Sequence, residues 1–295
     1  MLSRALAAAV VGVALAPVSV PSTTHARTAR QTRWIAYWSE SPWPTIWAVR
    51  PDGSRRHRIL RNRQNAKRPS FSPDRAWVAF DGTPPGKPAM SDFDIQIVRF
   101  DGGGRQTLTH TGDWDTDAQW SPDGNLISFT RSRPSPNDCT GCSIWIMRRD
   151  GGDVHRVASG GAARWSPDGG RLVYMSRDGR DLMTVGVDGH HPHVLLAARR
   201  GTYQQPSAWS PDGKKILFIR AYDQSGRNGA VFVIGADGTG LRRLARGFAA
   251  RWSPDGSKIL FTRAFVSPLW VMNADGTRKH RIARTVLAAS DPDWR

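Results

Sequence analysis

The sequence predicts an all-β fold, a six-bladed β-propeller built from four-stranded antiparallel blades. Three observations carry this. The pentapeptide Trp-Ser-Pro-Asp-Gly is written four times without change, beginning at Trp120, Trp165, Trp209 and Trp252. A degenerate copy begins at Phe71 and a last anchor stands at Trp294, so successive anchors lie 49, 45, 44, 43 and 42 residues apart. An Asp-Gly pair recurs with the same period, at Asp52, Asp101, Asp150, Asp188, Asp237 and Asp275. Repeats of this length with several short strand signals each are units that stack radially, since one such sheet cannot bury its own faces.

Taken in order, residues 1–26 read as a secretory signal peptide, with Arg4 ahead of an apolar run from Ala5 to Val20 and a cleavage site at Ala26. The run is shorter than the roughly 20 apolar residues of a membrane span. The competing reading is an uncleaved anchor. Residues 27–31 are a linker, and residues 32–295 are the propeller. From Trp34 to Leu60 the chain holds strands B, C and D of a blade but no strand A. Ser290 to Trp294 supplies a strand A with nothing after it. Together they make one blade that fastens the ring.

Within each repeat the ruler is constant. An aromatic residue stands nine positions after the anchor, at Phe80, Phe129, Tyr174, Phe218 and Phe261, and closes strand B. Five positions before each Asp-Gly comes the strand C marker: Trp47, Gln96, Trp145, Met183, Phe232 or Trp270. Gln96 breaks that apolar column. Strand D carries Ile59, Leu108, Val157, Leu195, Leu244 or Ile282. Ser-Pro-Asp-Gly turns the chain from A to B, because Pro presets φ and Gly accepts a positive one. Asp-Gly turns it from C to D.

These two signatures resemble the repeats of TolB-type propellers, which also occur in the propellers of prolyl-oligopeptidase-like enzymes. The resemblance covers residues 32 to 295. It implies a binding role in the cell envelope, through contacts with outer-membrane and peptidoglycan-associated proteins. TolB itself carries an α/β domain ahead of its propeller, and the segment between residues 27 and 33 leaves no room for one. A place in the Tol–Pal system is therefore in doubt, whereas generic protein or envelope binding stands. A prolyl-oligopeptidase-like hydrolase would need a G-x-S-x-G nucleophile elbow and an α/β domain, and the sequence offers neither.

The formal net charge is +17. Such a field favours an anionic partner, and export makes an acidic protein or an envelope polymer fit better than nucleic acid. No transmembrane span is expected, and the reading is a secreted or periplasmic monomer. The two cysteines, Cys139 and Cys142, sit in one loop, where a small-ring disulfide is expected in an exported chain. A redox pair would need a helix start. Half a zinc site would need further ligands that the sequence does not supply.

Strand alternation puts the A–B and C–D turns at one end of the ring and the B–C and D–A connections at the other. The interval from strand B aromatic to strand C marker is 16 residues at Phe80–Gln96 and Phe129–Trp145 and 14 at Phe218–Phe232, but 9 at Tyr174–Met183 and Phe261–Trp270. Loops 82–92, 131–143 and 220–229 thus point to the B–C end as the binding face. Candidate partner-binding residues there are Asp113, Trp114, Asp115 and Asp117 of a D–A connection, with Arg131, Arg133 and Asp138 of the neighbouring loop. Arg68, Arg164 and Arg251 lie near the inner strands, where mixed charges face the axis or pair between blades.

No metal site, cofactor or catalytic set is assigned. The D-x-D-x-D spacing resembles a calcium loop, but Ala118 and Gly124 stand where an EF-hand needs Gly and Glu. His190, His191 and His193 read as an exposed turn. The alternatives to a binder are a lyase or glycosidase with an axial carboxylate or metal site, and charge-driven adhesion to anionic polymers.

Overall fold

The structure is a computed structural model that describes residues 33–39, 44–60, 65–88, 92–133, 141–223, 228–264, 267–282 and 290–294. The signal-peptide and linker expectations lie outside these residues, as do Asp138 and Cys139. Among the described residues there is no helix, hence none long and apolar enough to cross a membrane.

All regular structure is antiparallel sheet, arranged as a β-propeller. One four-stranded sheet runs Lys67–Phe71, Trp77–Gly82, Asp94–Arg99, Gln106–Thr107. A second runs Tyr203–Trp209, Lys215–Ala221, Gly229–Gly235, Arg242–Arg246, and a third Phe248–Trp252, Lys258–Thr262, Leu269–Asn273, His280–Arg281. A seven-stranded sheet holds the two repeats between Trp114 and Leu196, joined through the long strand His155–Trp165. The remaining sheet takes Ser290–Trp294 as its first strand, followed by Ile35–Ser39, Thr45–Val49 and His57–Arg58. The two ends of the described chain thus share a blade, as the sequence predicts.

The aromatic that marks strand B and the marker of strand C are direct cross-strand partners in every repeat. Tyr37 faces Trp47, Phe80 faces Gln96, Phe129 faces Trp145, Tyr174 faces Met183, Phe218 faces Phe232, and Phe261 faces Trp270. Gln96 has a local explanation. It is buried, and its Oε1 accepts from Arg105 Nε at 2.8 Å and Nη2 at 2.5 Å, while its Nε2 donates to Gly82 O. Burial lowers the Arg105 pKa to about 10. Strand B also runs past its aromatic, because pairing with strand C continues through Arg131–Ser143 and Ala221–Gly229.

The A–B turn is closed by its serine. Ser121 Oγ accepts from Leu126 N at 2.9 Å and donates to Asp123 Oδ1 at 2.5 Å, and Ser72, Ser166, Ser210 and Ser253 do the same in their repeats. These bonds hold the turn aspartates below the usual carboxylate range. The fourth turn position needs a left-handed backbone: Gly124 has φ 75°, and Arg75 is forced to 61° in the degenerate copy.

Each inner strand carries a register shift just before its anchor. In four of them the residue three before the anchor takes a left-handed φ without being glycine: Arg68 at 49°, Asp117 at 57°, Ala162 at 57° and Ala249 at 47°. A bulge of this kind redirects side chains and frees a backbone N–H. The freed N–H finds the previous repeat, Asp117 N donating to Asp81 Oδ1 at 3.0 Å and Ala162 N to Thr130 Oγ1 at 3.0 Å.

The core lies between sheets. Phe71, Val78 and Phe80 pack on Ala36, Ile46 and Ala48, whereas Ile35, Tyr37 and Trp294 pack on Leu260, Leu269 and Val271. The terminal blade is thereby clasped on both sides. Asp293 Oδ2 accepts from Phe71 N at 2.8 Å, which ties the last strand to the next inner strand.

Candidate functional site

Where the inner strands end, at the A–B turns, a cavity of about 390 Å³ opens on the axis. Its wall repeats with the sequence. Trp120, Trp165, Trp209, Trp252 and Trp294 form one tier, and Pro73, Pro122, Pro167, Pro211 and Pro254 form the rim. Two of the indoles are tied to the preceding inner strand. Trp165 Nε1 donates to Gln119 O at 3.0 Å and Trp209 Nε1 to Arg164 O at 3.1 Å. The indole N–H groups of Trp120, Trp252 and Trp294 are buried with no hydrogen-bond partner.

The charged lining is Arg75, Arg164, Arg251 and Asp293. Arg164 is buried and spans three repeats: Nη1 meets Asp117 Oδ2 at 2.7 Å and Nε donates to Ser207 O at 3.1 Å. Arg251 Nη1 donates to Ala250 O. No histidine lines the cavity.

The other predicted residues fall away from this cavity. Arg68 is bidentate to Asp81, at 2.8 and 2.9 Å, and Asp81 is fully buried. Desolvation pushes the Asp81 carboxyl up, against the pull of Arg68. Asp115 is also fully buried and bidentate to Arg131, at 2.7 and 2.8 Å, and that bond raises the Arg131 pKa. Asp115 and Asp117 therefore do not converge: the bulge at Asp117 sends it to Arg164 while Asp115 stays with Arg131. Asp113 is half-buried near Arg131, and Arg133 is exposed. Trp114 packs edge-on against Phe93, ring centroids 5.5 Å apart, with its N–H buried and unpaired. Cys142 is buried. His190 and His191 are exposed at a C–D turn, and His193 is exposed on the strand that follows, beside Thr184. Among the described residues no group of three His, Cys, Asp or Glu is placed to hold a metal ion.

Sequence reasoning missed Asp81, Gln119, the proline rim and Arg75. The proline is visible in five repeats, where the sequence accounts for it by turn chemistry alone. Asp81 lies ten residues after Phe71, a register at which Thr130 serves the next repeat. Nothing but the bulge reveals that both receive an N–H from the following blade.

An uncharacterized protein of Agrobacterium fabrum (strain C58) is 32% identical over 146 residues, 44% of this chain and 48% of that protein. An uncharacterized peptidase of Bacillus subtilis (strain 168), YuxL, is 32% identical over 110 residues, 35% of this chain and 16% of that one. The matches thus span about half of one relative and a small part of the other. TolB from Acinetobacter baumannii shares the fold with a TM-score of 0.72 at 22% identity, over 88% of this chain and 66% of that one. A family model described as the TolB beta propeller domain matches residues 19–247, well over half of the sequence. With the repeated turns, the shared blade and this match in agreement, the chain belongs to the TolB-type β-propeller family.

Proposed function

We propose that the chain is an exported, non-catalytic binding protein that takes a protein or an anionic envelope component at the axial mouth of its propeller. The single observation that carries this is the cavity ringed by five tryptophans, with Arg164 and Arg251 in its wall. Aromatic and arginine side chains are what buried interface centres use. The reading moves the surface from the B–C end, expected from loop length, to the opposite end of the axis.

Catalysis is disfavoured by where the carboxylates go. Asp81, Asp115 and Asp117 each serve an arginine, and Asp293 holds Phe71 N. A general acid or base needs a titratable group within reach of the substrate, and these groups are spent on the fold. The ring is read as six blades, the seven-stranded sheet counting as two that share His155–Trp165. Signal cleavage near Ala26, a Cys139–Cys142 disulfide and a monomeric secreted or periplasmic state belong to the same proposal.

Affinity capture from an envelope extract of the host tests it, run at low and high salt. Wild type is compared with Arg251→Glu and with a deletion of residues 134–140, which shortens loop 131–143 and spares the Arg131–Asp115 pair. The expected result is a discrete protein or polymer retained at high salt, lost with Arg251→Glu and kept by the deletion. Loss with the deletion alone would return the site to the B–C end. Retention that salt removes from all three alike would mean that net charge alone drives adhesion.

A further inference from the structure

We propose that Arg220 anchors a carboxylate-binding site at the B–C end of the sheet formed by Tyr203–Trp209 and its neighbours. The argument starts from a matched pair of positions. Arg131 and Arg220 both stand eleven residues after their anchor tryptophans, and their cross-strand partners stand five residues before them. Each guanidinium lies over the strand C marker of its own blade, Arg131 4.7 Å from the Trp145 centroid and Arg220 4.7 Å from that of Phe232. Fold and stacking are therefore the same, and what differs is the partner across the strand. Arg131 faces Asp115 and is held bidentate. Arg220 faces Gln204, whose neutral Oε1 accepts one bond from Nη2 at 3.3 Å.

Arg220 is 4% exposed, and its Nε is buried with no hydrogen-bond partner. Among the described residues it forms no ion pair. A guanidinium remains charged at any physiological pH and presents five donors in a planar fork. A buried charge without a counter-ion is strongly destabilising. The surroundings add to the deficit. Of the charged and titratable groups near Arg220, Arg199 is a second cation and Tyr222 is an exposed phenol. Arg199 sits in the tight turn that leads into the strand of Gln204, its carbonyl held by Thr202 N at 3.0 Å and Thr202 Oγ1 at 2.8 Å. Two positive groups beside an amide call for an anion, and Asp115 in the sister blade shows the group that fits this register. Gln204 fills the place that Asp115 takes beside Arg131, held by Leu196 O and Arg220 Nη2 at 3.3 Å each, so a ligand carboxylate would displace its amide to reach the guanidinium. The site lies at the opposite end of the axis from the tryptophan-lined mouth, so it stands or falls separately from the function proposed above.

The test is thermal melting of the purified protein in acetate, phosphate or chloride at fixed pH and ionic strength. Gln204→Glu, which supplies the missing carboxylate, and Arg220→Met, which removes the charge, are melted alongside. Wild type should melt about 3 °C higher in saturating acetate than in chloride. Neither variant should respond specifically to acetate, Gln204→Glu because its own carboxylate meets Arg220 where the amide now donates to Leu196 O. An equal acetate response in wild type and in either variant would overturn the proposal, as would no response in wild type. A wild-type shift with phosphate but not acetate would overturn the carboxylate assignment. Should Gln204→Glu not fold, Arg220→Met alone decides between these outcomes.

Discussion

Ser121 closes its turn from two sides, accepting from the backbone of strand B and donating to Asp123. The same pair of bonds in five repeats explains why serine and aspartate sit where they do, with glycine supplying the positive φ that follows. Arg75 lacks that glycine and takes φ 61°. Arg75→Gly should therefore raise stability by about 1 kcal/mol, read from the denaturant midpoint at unchanged slope. Asp115 is the opposite case. Asp115→Ala strands Arg131 and should destabilise by about 3–5 kcal/mol, whereas the double variant with Arg131→Met should recover most of the loss. If the double variant is no better than the single one, the pair is not the structural unit described. The turn chemistry was legible in the sequence because it is local and repeated. The ion pairs were not, because Arg164 reaches Asp117 and Ser207 across repeat boundaries through strand bulges that leave no mark in residue type.

Strands that line the axis are held by neighbouring sheets as well as by their own ladder. The last of them, Ser290–Trp294, pairs with Ile35–Ser39 and reaches Phe71 N through Asp293. Removing residues 290–295 should lower the melting temperature of the whole ring in one cooperative step, and Asp293→Ala should cost about 1–3 kcal/mol by orphaning a buried N–H. A truncated chain that melts like its parent would contradict the shared blade. The outer strand of that blade carries His57, packed between Trp34 and Phe100 with centroids 5.1 and 4.6 Å away. Burial lowers its pKa, and the charged groups beside it in sequence are Arg55, Arg56 and Arg58. A histidine kept neutral in the fold contributes stability that is full above its unfolded pKa of about 6.5 and declines as pH falls below it. Melting between pH 7 and pH 5 should show that decline in wild type and a shallower one in His57→Gln.

As a whole molecule the protein is a ring whose architecture the repeats announce and whose proposed binding surface they conceal. The period and the split blade were readable because radial stacking demands equal units and a closed circle. The axial mouth was not, since its five tryptophans and five prolines are the residues that define the repeat, and a residue present in every unit reads as scaffold. Only their convergence at one end of the axis makes them a surface. The measurement that tests this most directly is hydrogen exchange of the protein with and without its captured partner. Protection is predicted in the A–B turns around Ser121, Ser166, Ser210 and Ser253, beside the cavity, with the B–C connections unchanged. Protection confined to the B–C end, or spread evenly over the charged exterior, would contradict the account.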